Sequence, residues 1–377
     1  MIEVEKLFSV LKSNNVNFYT GVPDSVLKNM KYYLEELPKT KHIIAHNEGG
    51  AISLAIGYYL STQNLAAVYM QNSGLTNALN PILSLCDNNV YSIPILLIIG
   101  WRGAPNIYDE QQHISTGKIT IKLLKLLNIS YLIIEKNRDF KKINKLINYS
   151  KKNNTPVAIL FKKDTLVKKK TIYCKHKNND HKYPLRYNVI ELIINNLKKK
   201  DFLISTTGFT SRELNDLRIK NKSKKEKIKG KDFYVVGGMG HASSIALGSS
   251  IFKNQTRNQV VCLDGDGSII MHMGSLATIG FYANHNFKHI VFNNYQHESV
   301  GGQKTVSKNL NFKNIVLGCG YKRYFFSDSI YGLNEKIKNF LKIKGPAFFE
   351  IIVKSGSIKN LGRPNNFSFL KKQLFNL

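Results

Sequence analysis

The chain has little that would tie it together covalently or hold it in a bilayer. Four cysteines, Cys86, Cys174, Cys262 and Cys319, are spread over 377 residues. None lies in a C-x-x-C pair or near paired histidines, so neither a disulfide framework nor a zinc site is indicated. No apolar run approaches the roughly 18 residues that a membrane-spanning helix needs. The amino terminus, MIEVEKLFSVLKSNN, is amphipathic and carries acids, so it lacks the basic and then apolar order of a secretory signal. The expectation is a cytoplasmic protein with no membrane partner. Acids are scarce too: 25 Asp and Glu face 55 Lys and Arg, a formal net charge of +30. Such an excess ordinarily points to nucleic acid. Here the lysines are scattered among Asn and Ile, as in KKINKLINYSKKNN and NKSKKEKIKGK, without interleaved aromatics or a recognition motif. A basic nucleic-acid-binding α/β protein is the non-enzymatic alternative, and this scatter speaks against it. What the charge does imply is a field that attracts an anionic substrate.

The 43% hydrophobic and 21% charged content is that of a globular protein, and the length suffices for two domains with full cores. Short β-like runs (NFYT, HIIAH, LAAVYMQ, IPILLIIG, YLIIE, VAILF) alternate with helical stretches such as 48–63 and 137–152. That alternation predicts a parallel α/β sheet. It lapses over residues 166–185, which are polar, basic and aperiodic, and read as a linker. It resumes with DFLISTTG, DFYVVGG, VVCLDGD, KHIVFNN and AFFEIIV. The fold class is therefore α/β: two doubly wound parallel-sheet domains, 1–165 and 186–377, joined by that linker.

One acid stands out in the second half. The run VVCLDGDGSIIMHMGSLATIG places Asp266 between two glycines, after a buried strand and before a helical spacing that runs from about Met271 to Ala283. A carboxylate there, beside residues without side chains, suits a cation and a phosphate. It equally suits a tight turn with Asp as a helix cap. The pair Asn293-Asn294 follows the next strand, and in a parallel βαβ unit the two strand ends share one sheet edge. An oxygen-only set of carboxylate, amide and carbonyl suits Mg²⁺ better than zinc, and Mg²⁺ commonly completes its octahedron with phosphate oxygens. The sequence speaks against a Rossmann oxidoreductase, since GGMGHAS does not complete G-x-G-x-x-G and no ribose-binding acid follows at the expected place.

The order GDG then NN resembles the binding signature of the thiamine-diphosphate-dependent 2-oxo acid decarboxylases. Within them, TGVPDSVLK (20–28), NEGGA (47–51), QNSGLTN (71–77), GWRGAPNIYDEQQH (100–113), GGMGHASS (237–244), MHMGSLATIG (271–280) and HESVGGQKT (297–305) look like the group acting on 3-phosphonopyruvate, with the sulfopyruvate decarboxylases as near relatives. The resemblance implies a pyrimidine-binding first domain and a diphosphate-binding second one. It implies thiamine diphosphate and Mg²⁺ as cofactors, decarboxylation of an anionic 2-oxo acid within phosphonate biosynthesis, and a homodimer or larger assembly whose active site is shared between subunits.

Carried over by position, the resemblance makes Asp266, Asn294 and the carbonyl of Gln296 the metal ligands, with the amides of Gly267 and Ser268 facing the diphosphate. Tyr295-Gln296 departs from the small residue usual after NN. Glu48 matches the glutamate that hydrogen-bonds N1′ of the aminopyrimidine, favouring the tautomer whose 4′-nitrogen takes the proton from thiazolium C2. Read alone, Glu48 is an acid at a helix start, stabilised by the dipole. Met239 would be a wedge beneath the cofactor, where a core methionine is the plain alternative, and Gly237 would offer its carbonyl to the 4′-amino group. Acid–base work falls to His113, Asp24 and Ser25. Anion binding falls to Arg102, Ser299, Gly301, Gly302, Gln303 and Lys304. His113 also reads as a helix-surface histidine, Lys304 as one lysine of many and the glycines as a turn; His297 stays unassigned.

Overall fold

The computed structural model describes residues 2–136, 139–167, 183–223, 229–252 and 258–375. Cys174 lies outside them. The chain divides into two compact units, Met1–Lys175 with Val300–Gln303, and His176–Ser299 with Lys304–Leu377.

The first unit contains β1 (Ile2–Glu3), β2 (Tyr19–Gly21), β3 (His42–Ile44), β4 (Ala66–Gln71), β5 (Ile95–Trp101), β6 (Ser130–Ile134), β7 (Val157–Lys162) and β8 (Leu166–Val167). Six of these form a sheet in the order β3-β2-β4-β5-β7-β6, parallel throughout. A sheet covered by helices on both faces buries every residue of its central strands, which is why these runs are apolar without alternation. Along β4 and β5, Ala67, Tyr69, Leu96 and Ile98 enter one core with the helix Val4–Ser13. Their neighbours Ala66, Val68, Met70, Ile95, Leu97 and Ile99 enter the other with the helix Glu48–Thr62.

The second unit repeats the plan with β9 (Phe202–Ser205), β10 (Lys231–Tyr234), β11 (Val260–Gly265) and β12 (Phe287–Asn293), the short pair β13 (Gln296–His297) and β14 (Gln303–Lys304), then β15 (Arg323–Ser327) and β16 (Ala347–Ile352). Its sheet order is β10-β9-β11-β12-β16-β15, again parallel. The two parallel-sheet units match the expected fold class. Gly265, the last residue of β11, lies opposite Phe292 of β12. Asp266 and Asn294 therefore leave adjacent strands at the same edge.

Two local expectations need correction, and a third, the 166–185 linker, lies outside the described residues except at its ends. Both ends of the 166–185 stretch are structured: Leu166 and Val167 pair with Ile2 and Glu3, and Leu185 bridges to Lys354, whose N–H donates to the Pro184 carbonyl. The helix expected from Met271 to Ala283 begins earlier and is broken. It runs Asp266–Met271, His272 leaves helical geometry (φ −133°, ψ 51°), and a second helix covers Ser275–Tyr282 after Gly274. The charged edge strand β15, RYFFS, was missing from the run of β-like segments because an edge strand half open to solvent does not need an unbroken apolar run.

Phe348 on β16 has no exposed surface and packs against His289, Phe312, Tyr321 and Tyr324. Phe348→Ala is expected to cost about 3–5 kcal/mol of unfolding free energy, read from urea transitions. A loss below about 1 kcal/mol would mean that this aromatic layer repacks around the void.

Candidate active site

In the first unit, four adjacent strands deliver polar residues to one edge. Glu48 opens the helix Glu48–Thr62 a few residues after β3, with Asn47 capping that helix through Gly50 N–H at 2.8 Å. The Glu48 carboxylate is buried, and its Oε2 accepts from Asn77 Nδ2 at 3.0 Å. Gly74 lies against it so closely that a β-carbon there would stand 2.2 Å from Glu48 Oε1.

Asp24 follows β2. Its Oδ1 accepts from the N–H groups of Val26 and Leu27 at 2.9 and 3.0 Å, while Oδ2 is buried without a hydrogen-bond partner among the described residues. Burial raises its pKa to about 6, against the pull of the Leu27 N–H and the Arg102 charge.

Arg102, which follows β5, does not stand free for a substrate anion. Its Nε and Nη2 grip Asp109 at 2.8 and 2.5 Å, Nη2 lies 3.4 Å from Glu110, and Nη1 donates to Ser25 Oγ at 2.8 Å. Asn72 fixes the Arg102 backbone from both sides, accepting its N–H and donating to its carbonyl, each at 3.0 Å. His113 sits 3.8 Å from Glu110, and burial followed by the Arg102 charge lowers its pKa to about 4, so its ring is neutral near pH 7. Gly103 and Gly117 permit this: a β-carbon on Gly117 would lie 1.9 Å from the Gly103 carbonyl oxygen.

Of the residues between Ser299 and Lys304, Gly301 and Gly302 adopt positive φ (134° and 71°), and both carbonyls accept from Lys31 Nζ, at 2.9 and 3.0 Å. Gln303 is buried with Oε1 unpartnered among the described residues, while Ser299 and Lys304 are exposed.

In the second unit Asp266 is 2% exposed. Two hydroxyls converge on its Oδ2, Thr305 Oγ1 at 2.5 Å and Ser307 Oγ at 2.8 Å, and Ser307 also donates to Asn293 Oδ1 at 3.0 Å. Burial nevertheless pushes the Asp266 pKa up to about 6. Gly265 offers no side chain to cap the helix that Asp266 begins. Ser268 Oγ pairs with Thr206 at 2.9 Å and accepts from Gly240 N–H at 3.2 Å. A β-carbon on Gly267 would stand 2.8 Å from His297 and 3.4 Å from Met239 Cε, so Gly267, Met239 and His297 adjoin. His297 is half-buried, and burial lowers its pKa to about 4. Asn294 Oδ1 accepts from Gln296 N–H at 3.0 Å, and Tyr295 between them takes φ 61°. Beneath the strand ends, His289 bridges Tyr321 at 2.9 Å and Asp264 at 3.4 Å, both fully or nearly fully buried.

Two profiles match these units, described as "Thiamine pyrophosphate enzyme, N-terminal TPP binding domain" over residues 4–120 and "Thiamine pyrophosphate enzyme, C-terminal TPP binding domain" over residues 220–351. The chain is 30% identical over 381 residues to phosphonopyruvate decarboxylase of Streptomyces viridochromogenes, covering 97% of this chain and 91% of that protein. The chain belongs to the thiamine-pyrophosphate-dependent decarboxylases. It is also 28% identical to phosphonopyruvate decarboxylase of Streptomyces hygroscopicus, over 97% of this chain and 90% of that one. Sulfopyruvate decarboxylase subunit beta of Methanocaldococcus jannaschii is 35% identical over 42% of this chain and 78% of its own length.

The donor chemistry around Asp266 fits a divalent ion. A carboxylate buried against two hydroxyls keeps an unfavourable charge, and an ion bound by oxygens would neutralise it. Several supporting residues escaped the sequence reading: Asp109, Asn72, Asn77, Thr305, Ser307 and Glu298. All but Ser307, two residues past the last of them, lie inside the motif stretches, but only a hydrogen-bond partner distinguishes them from their neighbours. Among the described residues no helix is long and apolar enough to cross a membrane.

Because the fold raises the Asp24 pKa, the folded chain keeps that proton to higher pH than the unfolded chain does. Stability is therefore lost as pH rises from about 4 to about 6, by up to about 3 kcal/mol for a shift of this size. Asp24→Asn cannot ionise, so its unfolding free energy should gain on the parent between pH 4 and pH 7. A difference that stays constant across this range would show that burial does not penalise the Asp24 charge.

Proposed function

We propose that the protein decarboxylates 3-phosphonopyruvate to phosphonoacetaldehyde and CO₂, using thiamine diphosphate and Mg²⁺. The observation that carries this reading is the buried, hydroxyl-supported Asp266 leaving the strand beside that of Asn294, within a chain similar over nearly its whole length to two phosphonopyruvate decarboxylases. Bound thiamine diphosphate supplies the electron sink that accepts the bonding pair as CO₂ departs. Asp266, Asn294 and the Gln296 carbonyl hold the metal, and the N–H groups of Gly267 and Ser268 face the diphosphate. Met239 and the Gly237 carbonyl position the pyrimidine end. Glu48, fixed by Asn77, holds a proton at pyrimidine N1′.

Of the three acid–base candidates, Ser25 accepts from Arg102, and His113 and Asp24 divide by their environments. His113 is neutral near pH 7, whereas Asp24 keeps its proton up to about pH 6, closer to neutrality than an ordinary carboxyl, and its Oδ2 has no hydrogen-bond partner among the described residues, so Asp24 is the group proposed to exchange a proton with the product carbon. Arg102 and Ser25 then order this wall through the Asp109 grip. Backbone N–H groups and hydroxyls of the Ser299–Lys304 stretch, with the Lys304 charge, remain to bind the phosphonate. Sulfopyruvate is the second reading, favoured by the likeness to a sulfopyruvate decarboxylase subunit. A mutase forming phosphonopyruvate from phosphoenolpyruvate and an aminotransferase consuming the aldehyde would place the reaction in phosphonate biosynthesis.

Anaerobic CO₂ release from phosphonopyruvate, sulfopyruvate and pyruvate, each with Mg²⁺ and thiamine diphosphate, tests the substrate. A site built to bind charged oxygens rejects a substrate lacking them, because its donors are left unpaired. Phosphonopyruvate should exceed pyruvate in kcat/KM by about 10²–10⁴. Sulfopyruvate as the fastest substrate would overturn the phosphonate reading.

The site is further proposed to draw Glu48 from one subunit and Asp266 from another, so that a lone chain is inactive. Inactive Glu48→Gln and inactive Asp266→Ala proteins, mixed under subunit exchange, should then recover activity. About a quarter of the parental value is expected for random dimers with independent sites. No recovery, with exchange confirmed by mass spectrometry, would place both residues in one chain's site.

A further inference from the structure

The surroundings of Asn294 determine which end of its amide is available. Its Nδ2 donates to Glu298 Oε2 at 3.1 Å, and its Oδ1 accepts from Gln296 N–H at 3.0 Å. An ionised carboxylate has no hydrogen to donate, so Glu298 can meet only the NH₂ end of that amide. Glu298 is itself fixed. Its Oε2 also accepts from Arg186 Nη1 at 2.9 Å, and its Oε1 accepts from Gly356 N–H. Arg186 in turn grips Glu213 through Nε and Nη2, at 2.7 and 3.2 Å.

We propose that Glu298, anchored by Arg186, is a positioning residue that holds the Asn294 amide with Oδ1 directed to a divalent metal ion. This inference rests on the reading of Asn294 as a metal ligand. A purely structural ion pair explains the arrangement less well. Arg186 already has a two-point carboxylate partner in Glu213, so Glu298 adds a second, partly buried acid to one guanidinium. With Asp266 that makes three carboxylates against one cation, leaving two negative charges that a divalent ion would neutralise. The same logic applies at Asp266, where Thr305 and Ser307 both occupy Oδ2 and leave Oδ1 the freer oxygen. Outer partners of this kind orient ligands, and their loss typically weakens metal binding about 10–100-fold.

The test is titration of Mn²⁺, a spectroscopic stand-in for Mg²⁺, followed by electron paramagnetic resonance in the presence of saturating thiamine diphosphate. Glu298→Gln puts an NH₂ where one carboxylate oxygen accepted, so it can no longer hold Arg186, the Gly356 N–H and the Asn294 amide together, and it should weaken Mn²⁺ binding at least tenfold. A role confined to folding would lower the melting temperature of the metal-free protein and leave Mn²⁺ affinity within twofold of the parent, which overturns the inference. The exchanged pair Asn294→Asp with Glu298→Gln keeps both the charge and the hydrogen bond, now donated in the opposite direction. It should restore Mn²⁺ affinity to within about threefold of the parent. If Glu298→Gln does not fold, the pair decides alone: binding more than tenfold weaker than the parent overturns the inference. Asp266→Asn serves as the control. If that variant binds Mn²⁺ like the parent, the metal-site reading itself fails and this inference falls with it; if only Asp266→Asn weakens binding, the positioning role alone is refuted.

Discussion

A carboxylate taken out of water needs a partner, and at the end of β11 the chain supplies only part of one. Thr305 and Ser307 give Asp266 two hydroxyl hydrogen bonds, yet burial still drives its pKa upward. Neutral donors do not repay the hydration that a charge loses on burial. Much of the second unit is arranged around this deficit. The parallel register sets Gly265 beside Phe292, which brings the Asn293-Asn294 pair to the same edge, and Ser307 ties Asp266 to Asn293 directly. The chain that follows, through β13 and β14, returns so that Thr305 N–H bonds the Tyr295 carbonyl and Thr305 reaches Asp266. An ion bound there would complete electrostatics that the protein leaves unfinished.

The first unit handles its acids differently, by close approach. Glu48 rests against Gly74 and Asp24 against Gly100, at distances where a β-carbon would overlap the carboxylate. These glycines make room for carboxyl groups inside a packed layer. The Arg102 grip on Asp109 shows the opposite strategy, in which a cation is fully matched within its own loop. A guanidinium so occupied contributes shape and hydrogen-bond order to a wall, with little net field for a substrate. The acidic wall therefore contains one group with an unusual affinity for a proton, Asp24, beside a histidine that burial keeps neutral.

The sequence was most legible where one physical demand governed a whole segment. Parallel strands covered on both faces must be apolar, so the central strands of the two large sheets are visible as apolar runs, and eleven of their twelve strands were read as β-like segments. The exception, β15, is an edge strand with charge at its start. Asp266 was legible because the glycines around it are unusual after a strand. The break at His272 was not, since Met-His-Met carries no helix-stopping residue and the turn sets the His272 ring against Gly240, a tertiary contact. Arg102 was legible as a cation and illegible as a committed one: Asp109 lies seven residues away in a loop, at no periodic spacing. Glu298 was hidden for the same reason, because its partner Arg186 is 112 positions distant.

Each half of this chain owns a complete sheet with a core on either face. Among the described residues, the strands of each six-stranded sheet all come from one unit. The covalent continuity of the polypeptide is thus a convenience of synthesis: it fixes a one-to-one supply of the two halves. A lineage can give up that continuity by gene fission without dismantling either core, provided that expression of the two products stays balanced.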